Sequence, residues 1–501
     1  MDALKYPHDL PALLDRLGSL GHGLFRDAPG LLVARAPGRL DVMGGFADYS
    51  GSLTLELPIA EGTFVVAQPH SPASDADAQL EIVSTGFATG AGAARRASFP
   101  LGELRAATRG YASAREYFQR DAATAWAAYV AGAYAALRVE FGVEPRGGLS
   151  LLVASNVPEG KGVSSSAALE VATLGVLAEH HGVQIDSERA ALLCQRIENL
   201  VVGAPCGVMD QLTSSCGSAG QLLPILCQPS ELQPSFSVPA GLAFWGIDSG
   251  LRHEVSGADY GEVRVAAFMG YRWLAAERGL EVHAADAPGQ VTIVDPEWRG
   301  YLARLPRAEF EQRYRELLPA RIGGAQFLER FGGITDPITR VRPGSTYRVR
   351  AATAHPVCEH ARASEFRELL LELERRTAPR GAPAAERALL ERLGALMVET
   401  HKSYSECGLG SSGTDRLVEL VRELGPERGL FGAKITGGGS GGTVAVLGLD
   451  SAGEAVAAVA ERYARETGRA PHVFSGSSPG AAAFGVRRLE RSSAGRWQEI
   501  G

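Results

Sequence analysis

A glycine- and serine-rich stretch, residues 158–168 (PEGKGVSSSAA), has the composition of an anion-binding loop. It lies between a predicted strand at 149–154 and a predicted helix at 165–180. Glycines let the backbone approach an anion, and the first turn of a helix offers unpaired N–H groups and partial positive charge. Two glycines, a lysine and three serines exceed what a plain capped turn needs. The stretch therefore predicts a phosphate-binding loop. It is not a Walker A loop, because Gly162 follows Lys161 where Ser or Thr would be required.

A second glycine cluster, residues 437–442, formally matches G-x-G-x-x-G. A dinucleotide fingerprint needs a helix after this motif, whereas residues 443–447 (TVAVL) have a strand pattern. We therefore do not interpret the match as a dinucleotide site. Two interpretations remain open: a glycine hairpin that packs against the phosphate loop, and a loop that is merely flexible.

Two carboxylates lie between these clusters in the sequence. Glu198 falls on the apolar face of a predicted helix at 187–202, and a carboxylate there needs a partner or a position at the edge of the face. Asp210 lies just after a turn that contains Pro205 and Gly207, and Asp is common in turns for conformational reasons. Neither residue by itself distinguishes a functional role from a structural one.

The elements that must position these residues indicate an α+β fold. Strand patterns at 31–42, 53–59 and 63–68 predict an opening antiparallel sheet, and the composition of residues 122–141 predicts a helix. This beginning differs from the βαβ repeat of nucleotide-binding folds.

A proline-rich connector at 228–239 separates the strand-rich first half of the chain from a second half that is richer in helix. We therefore expect an N-terminal domain at 1–230, a C-terminal domain at 231–491 and a flexible tail at 492–501. A chain of 501 residues is long enough for two or three domains with large cores.

The composition argues against several classes of partner. Lys and Arg number 50 against 57 Asp and Glu, the formal net charge is −7, and no basic block stands out, so we expect no nucleic-acid partner. We also expect no membrane partner, because we find neither a leader pattern at 1–20 nor a run of eighteen apolar residues. Six scattered cysteines without C-x-x-C spacing predict a cytoplasmic location.

Three motifs together resemble those of the GHMP kinase superfamily, which groups galactokinase, homoserine kinase, mevalonate kinase and phosphomevalonate kinase. They are residues 36–41 (APGRLD), the serine-rich loop and the late glycine loop, in this order and at these distances. Residues 206–211, 248–250 and 355–362 are similar to galactokinases in particular. Residues 41–51, 257–261 and 407–411 resemble the kinase domains of plant L-arabinokinases.

The resemblance implies a two-domain GHMP kinase fold, with ATP and a sugar bound in the cleft between the domains. Arg39 and Asp210 match the pair at the reacting hydroxyl, and Ser166 and Glu198 match the ligands of the Mg²⁺ cofactor that accompanies ATP. The implied ATP-binding residues are Trp126, Tyr129, Gly160, Lys161, Gly162, Val163, Ser164, Ser165, Ser166, Gly438 and Gly439. The implied sugar-binding residues are Gly45, Phe46, Asp48, Gly207 and Tyr260.

The resemblance also implies a substrate. Galactokinases typically have Glu and His where this chain has Gly45 and Phe46, and in that family the pair lies toward the hydroxymethyl end of galactose. L-arabinose has the same ring arrangement without that group. The implied reaction is therefore transfer of the γ-phosphoryl of ATP to the anomeric hydroxyl of L-arabinose, which gives L-arabinose 1-phosphate and ADP.

Two alternatives stay open: a galactokinase, acting on D-galactose or another sugar with a C1 hydroxyl, and a non-catalytic sugar sensor. A sensor would be expected to lose part of the catalytic set, but Arg39, Ser166, Glu198 and Asp210 are all present. Whether Asp210 accepts the proton or only orients the hydroxyl also stays open. The expected partners are the small-molecule sugar and ATP, and the expected state is a monomer or weak homo-oligomer.

Overall fold

The computed structural model describes residues 9–20, 23–25, 30–71, 77–86, 94–251, 258–376, 383–492 and 497–500, so Gly257 of the motif at 257–261 lies outside the described residues. In chain order the strands are β1 (Leu31–Met43), β2 (Leu53–His70), β3 (Gln79–Gly86), β4 (Arg95–Pro100), β5 (Gly148–Ser155), β6 (Gln221–Leu226), β7 (Glu231–Leu232), β8 (Phe236–Ser237), β9 (Leu242–Asp248), β10 (Val282–Ala284), β11 (Val291–Ile293), β12 (Ile322–Gly323), β13 (Thr346–Tyr347), β14 (Leu430–Ile435), β15 (Thr443–Leu449), β16 (Val473–Phe474), β17 (Val486–Arg491) and β18 (Trp497–Ile500).

The helices complete a mixed α and β fold, as the sequence predicts. In chain order they are α1 (Asp9–Leu20), α2 (Leu101–Ala107), α3 (Tyr111–Phe118), α4 (Ala128–Ala131), α5 (Ala133–Phe141), α6 (Ser165–His181), α7 (Ser187–Arg196), α8 (Met209–Cys216), α9 (Ala258–Glu277), α10 (Arg307–Glu309), α11 (Gly324–Phe331), α12 (Val349–Arg375), α13 (Pro383–Cys407), α14 (Ser412–Leu424), α15 (Gly453–Thr467) and α16 (Ala481–Phe484). Within the described residues, no helix combines the length and the apolar composition needed to cross a membrane.

The larger sheet has the strand order β18-β17-β1-β2-β5-β3-β4, and β6 pairs with the first part of β2. Its pairs are antiparallel except that of β3 with β5, and the opening antiparallel pair is confirmed. The two strands predicted at 53–59 and 63–68 are one continuous strand. Gly62 does not end the strand, since it pairs with Pro37 of β1. A Cβ atom at this position would lie 2.5 Å from the Arg35 guanidinium carbon. This glycine therefore marks a close approach of a side chain and not a turn.

The smaller sheet has the order β14-β15-β9-β16 and belongs to the second half of the chain. The connector between β6 and β9 therefore joins the two sheets, which gives the fold its two-domain organisation. Two helices of this half, α12 and α13, pack on each other, and both carry residues to the back of the cleft described below.

The C-terminal end differs from the prediction. β17 pairs with β1 of the first sheet, so the chain returns to the first sheet before residue 491. The flexible tail predicted at 492–501 is wrong at Trp497–Ile500, because this segment forms β18 on β17. Arg491 lies 5.1 Å from the centre of the Trp497 ring, and this cation–π contact helps to hold the edge strand.

The predicted helices that carry site residues are interrupted. The helix predicted at 122–141 begins as a 3₁₀ turn at Ala125–Ala127 and breaks between α4 and α5, at Gly132. The helix predicted at 187–202 continues past α7 as a π-helix, Ile197–Val202. The π segment contains Glu198, and local widening of a helix is frequent where a side chain is presented to a functional site.

Candidate active site

One cleft of about 720 Å³ collects most of the residues predicted for the site. It is lined by the turn after β1, the loop between β5 and α6, and the beginnings of α6, α8 and α9. The predicted residues in the lining are Arg39, Phe46, Asp48, Trp126, Tyr129, Gly160, Gly162, Ser164, Ser165, Ser166, Glu198, Gly207, Asp210, Tyr260 and Gly438.

Four predicted residues lie behind this lining and not in it: Gly45, Lys161, Val163 and Gly439. The Lys161 ammonium is 2.9 Å from the Asp248 carboxylate, so it pairs with the second sheet. Val163 is buried, and its carbonyl accepts a hydrogen bond from the Arg39 backbone N–H at 3.1 Å. Lys161 and Val163 therefore hold the loop between β5 and α6 in place and do not line the cleft.

The phosphate loop takes a backbone form that glycine permits. Gly160 and Gly162 both have a φ of 70°, and Ser164, the residue before α6, has a φ of 60°. The loop is fixed from outside, because the Arg39 guanidinium donates to the Gly162 carbonyl at 2.7 Å and the Thr443 hydroxyl donates to the Lys161 carbonyl at 2.8 Å. The Ser164 hydroxyl is buried without a partner in the described structure, as expected of a donor that faces a ligand.

The late glycine cluster packs directly against this loop. A Cβ atom on Gly437 would lie 2.8 Å from the Gly162 carbonyl oxygen, and one on Gly442 would lie 2.7 Å from the Lys161 carbonyl oxygen. Only glycine allows such an approach at both positions. Of the two interpretations that the sequence leaves open, the structure therefore favours the hairpin packed on the phosphate loop.

An arginine–carboxylate pair occupies the centre of the cleft. Arg39 donates to Asp210 Oδ1 from Nε at 3.0 Å and from a terminal nitrogen at 2.7 Å. Burial alone would lower the pKa of Arg39, but the charges of Asp210, Glu56 and Asp41 raise it above its usual value. Arg39 therefore stays a fixed cation between the phosphate loop and the Asp210 carboxylate.

Glu56 is a functional candidate that the sequence analysis missed. Its carboxylate is fully buried on β2, 3.3 Å from Arg39 Nε. Burial and the neighbouring charge of Asp41 raise the pKa of Glu56 well above its usual range, while Arg39 opposes the rise. The available signal was a single acid inside the apolar run LTLELPI at 53–59.

Asp48 and Gly207 meet at the inner end of the cleft. A Cβ atom on Gly207 would lie 1.6 Å from Asp48 Oδ2, so glycine is required for this contact. The other carboxylate oxygen accepts the Tyr49 backbone N–H at 2.8 Å. Burial and the charge of Asp210 raise the pKa of Asp48 to about 7. Asp48 can therefore accept or donate hydrogen bonds near neutral pH.

The ion pair of Arg264 and Asp336, which the sequence analysis also missed, supports the inner end of the cleft. Arg264 on α9 makes two bonds of 2.8 Å to the Asp336 carboxylate and donates to the Cys206 carbonyl at 3.1 Å. Arg264 therefore fixes the chain just before Gly207, and its charge lowers the pKa of Asp48 in opposition to the effect of burial. No spacing in the sequence links residues 264 and 336.

Ser166 and Glu198 lie together at the start of α6. The Ser166 hydroxyl and the Cys206 thiol hydrogen-bond to Glu198, and the Gln211 amide donates to Glu198 Oε2 at 2.7 Å. Burial and the charge of Asp210 raise the pKa of Glu198 to about 7. Glu170, one helical turn after Ser166, adds a further buried carboxyl 3.5 Å from the same amide.

This donor set fits a divalent cation. The hydroxyl and carboxylate oxygens are hard ligands, and Glu198 and Asp210 provide more negative charge than the nearby cation Arg39 balances. Within the described residues, no group of three or more His, Cys, Asp or Glu has the arrangement of an all-protein metal site. Mg²⁺ bound with nucleotides is usually held by one or two protein oxygens, by phosphate oxygens and by water.

The cleft mouth carries the two aromatic residues predicted near the nucleotide base. Trp126 and Tyr129 are both partly buried, and Trp126 is also packed against the core of the first domain. The Arg95 guanidinium lies 6.0 Å from the centre of the Trp126 ring and pairs with Glu159 at 2.5 Å. An aromatic face beside a phosphate loop can accommodate a flat heterocycle.

Three family profiles match the chain. The GHMP kinases N terminal domain matches residues 128–218, the GHMP kinases C terminal domain matches residues 382–465, and the galactokinase galactose-binding signature matches residues 23–69. The first two matches cover the phosphate loop and the glycine loop respectively, and the third covers the turn that carries Phe46 and Asp48.

Individual relatives of the chain agree with these matches. The chain is 42% identical over 510 aligned residues to the L-arabinokinase of Arabidopsis thaliana, and the alignment covers 94% of this chain and 48% of that protein. The chain thus spans about half the length of this relative. It is 29% identical to the galactokinase of Chloroflexus aggregans, over 88% of this chain and 90% of that protein.

The fold is also that of a solved kinase. The crystal structure of Lactococcus lactis galactokinase complexed with galactose superimposes with a TM-score of 0.68 at 18% identity, covering 94% of this chain and 99% of that chain. This likeness shows a shared two-domain α and β fold. Matches to both the N-terminal and the C-terminal GHMP kinase domains thus occur in one chain with this fold.

Proposed function

We propose that the protein is an ATP-dependent sugar 1-kinase that phosphorylates the anomeric hydroxyl of L-arabinose. The products are L-arabinose 1-phosphate and ADP. The identity to an L-arabinokinase supports this substrate, and so does the aromatic residue Phe46 in the cleft lining. Magnesium, a cytoplasmic location and a monomeric or weakly associated state remain predictions from the sequence.

The observation that carries the kinase activity is the position of the Arg39–Asp210 pair. It lies between the phosphate loop, which Arg39 contacts at the Gly162 carbonyl, and Asp48 at the inner end. A sugar hydroxyl beside Asp210 would face a γ-phosphoryl held at the start of α6. Asp210 would orient the hydroxyl or accept its proton, the sugar oxygen would bond to phosphorus, and the bond from phosphorus to ADP would break.

Charge stabilisation would come from three sources. Arg39 would stabilise negative charge on the attacking oxygen and the phosphoryl group, and its two bonds to Asp210 already fix its orientation. Ser166 and Glu198 would bind Mg²⁺, which would neutralise charge on the phosphates when bound. The unpaired N–H groups at the start of α6 would add to this.

The preference for a pentose rests on Phe46. This residue lines the cleft beside Asp48, although only 1% of its surface is exposed. Its ring stacks on His355, with the ring centres 3.8 Å apart. A hydroxymethyl group against this wall would be crowded, and its hydroxyl would find an aromatic ring in place of a hydrogen-bond partner. An unpaired buried hydroxyl costs about 1–3 kcal/mol.

A galactokinase is the second candidate. The match of residues 23–69 to the galactose-binding signature favours it, and Asp48 and Gly207 occupy the inner end of the cleft, where any pyranose could contact them. The sensor interpretation lacks such an observation, because the full catalytic set is gathered in one cleft.

The test is an ADP-release assay with magnesium, ATP and one sugar at a time: L-arabinose, D-galactose, D-glucuronate or D-galacturonate. We expect the largest kcat/KM with L-arabinose. Asp210→Asn serves as the matched inactive control, and a reaction without sugar measures background hydrolysis of ATP. No turnover with any sugar above this control would contradict the proposed function.

A further inference from the structure

Gly45 has no room for a side chain, and Tyr404 is the reason. Gly45 follows β1 with a φ of 55°, and a Cβ atom built on it would lie 2.2 Å from the Tyr404 hydroxyl oxygen. The nearest ring carbons of Tyr404 would lie 2.9 Å away. Tyr404 on α13 therefore fills the space beside the turn. Its hydrogen-bond partner Phe46 lies 358 positions earlier in the chain.

The Tyr404 hydroxyl connects the two sides of the cleft. It accepts the Phe46 backbone N–H at 3.2 Å and donates to the Gly437 carbonyl at 2.7 Å. Phe46 belongs to the turn that carries Asp48, and Gly437 belongs to the glycine loop that packs on the phosphate loop. Tyr404 itself is fully buried and lies behind the residues that line the cleft.

Two rings from the second domain fix the Phe46 ring. Tyr404 meets it edge to face, with ring centres 4.8 Å apart and planes at 87°. His355 lies parallel to it, with planes at 9°, and its Nδ1 is 2.8 Å from the hydroxyl of Ser403, the residue before Tyr404. The ring therefore has little freedom to turn, because dense packing holds buried aromatic side chains in one rotamer.

We propose that Tyr404 is a positioning residue that sets the sugar preference of the cleft by fixing Phe46 as its wall. This inference rests on the proposed sugar kinase function. Tyr404 acts through Phe46, because the loss of its hydroxyl releases the Phe46 backbone N–H and lets the turn shift together with the ring that it carries. A wall that yields by about one carbon atom alters discrimination between two sugars by about 10- to 200-fold.

The test compares Tyr404→Phe with the wild type. The variant keeps the ring and removes only the hydroxyl that bonds Phe46 and Gly437. We expect the ratio of kcat/KM for L-arabinose to kcat/KM for D-galactose to fall by about 5- to 50-fold. The ratio falls mainly because kcat/KM for D-galactose rises, since the extra carbon of galactose then fits.

Tyr463→Phe is the matched control. Tyr463 is also fully buried, and its hydroxyl donates to the Ser249 carbonyl at 2.7 Å. Ser249 does not line the cleft, whereas both hydrogen-bond partners of Tyr404, Phe46 and Gly437, do. Both variants lose a buried tyrosine-to-carbonyl hydrogen bond, and Tyr404→Phe also leaves the Phe46 backbone N–H without its acceptor, so we expect the larger loss in thermal stability for Tyr404→Phe. Only Tyr404→Phe should change the sugar ratio. Equal ratios in Tyr404→Phe, Tyr463→Phe and the wild type would overturn the proposal.

A double-mutant cycle tests whether Tyr404 acts through Phe46. Phe46→Leu shortens the wall and should lower the ratio by itself. In the Phe46→Leu background, Tyr404→Phe should change the ratio by less than about twofold, because the group that it positions is gone. An undiminished effect there would contradict the proposed route.

The two proposals fail in different ways. A wild type that prefers galactose contradicts the arabinose assignment. In that case, a ratio of the two kcat/KM values that changes in Tyr404→Phe and not in Tyr463→Phe still supports the positioning role. A wild type that prefers arabinose with no change in Tyr404→Phe contradicts the positioning role alone. Saturating ATP throughout removes effects on the nucleotide site from the comparison.

Discussion

At the inner end of the cleft, Arg39 is 2% exposed and bonded to Asp210 and to the phosphate loop, whereas at the mouth Arg95 and Glu159 pair while 51% and 65% exposed. The inner charges are held by several partners each and cannot rearrange without breaking buried contacts. The outer pair lies in water, where such pairs contribute about 0–1 kcal/mol. Under the proposed function, sugar recognition and chemistry would depend on a fixed inner end, and nucleotide entry on an adaptable mouth.

The largest expected effect is at the inner end. Asp210→Asn keeps the size and the hydrogen bond to Arg39 but removes the negative charge and the proton acceptor. We expect kcat to fall by about 100- to 10,000-fold. ATP should still raise the melting temperature of the variant, which serves as the control for an intact nucleotide site. A normal kcat with only a higher KM for the sugar would show that Asp210 binds substrate without taking part in the chemistry.

The next largest effect is the pH dependence that Asp48, at the same end of the cleft, gives to the stability of the folded protein. The pKa of Asp48 is about 7 in the folded protein, against an ordinary value of 3.8. Between these values the folded state holds a proton that the unfolded state has lost, so Asp48 reduces stability as pH rises through this window, by up to about 1.4 kcal/mol per pH unit. Asp48→Asn cannot ionise.

Thermal unfolding of both proteins between pH 5 and pH 8 should therefore show Asp48→Asn gaining stability relative to the wild type as pH rises. The other buried carboxyls, such as Glu56 and Glu198, are present in both proteins and cancel to first order in the difference. A difference in melting temperature that stays constant across this range would contradict the account of Asp48.

The smallest effects are expected at the mouth. Trp126→Ala removes an aromatic face and should raise KM for ATP by about 2- to 10-fold, because such contacts contribute about 0.5–1.5 kcal/mol. Arg95→Ala removes only an exposed pair and should change the same KM by less than about twofold. Steady-state kinetics at saturating sugar measure both. A larger effect from Arg95→Ala than from Trp126→Ala would reverse this ranking.

Short motifs made much of the cleft predictable. Arg39, Asp210 and the serine-rich loop lie in segments whose residue types indicate their chemistry, and the structure brings them to one place. Arg39 and Asp210 nevertheless meet across 171 residues, so the resemblance to a family, and not spacing, paired them. The strands predicted separately at 53–59 and 63–68 are one strand, because the glycine between them, Gly62, marks a close approach of Arg35 and not a turn.

The supporting residues were not predictable in the same way. Arg264 and Asp336 form an ion pair between distant segments, and Tyr404 contacts Phe46 from another domain. Arginine and tyrosine on helices are ordinary in any sequence, and their role arises only from the packing of α9 and α13 behind the cleft. Glu56 was the exception, because an acid inside an apolar strand already requires a partner.

The central claim is that the inner end of the cleft selects L-arabinose and directs phosphorylation to its C1 hydroxyl. The most direct measurement is a competition: equal concentrations of L-arabinose and D-galactose with limiting ATP and magnesium, and the products identified by NMR. The account predicts mostly L-arabinose 1-phosphate, in an excess of about 10- to 200-fold over galactose 1-phosphate. Equal amounts of both products, an excess of galactose 1-phosphate, or phosphorylation at another hydroxyl would contradict it.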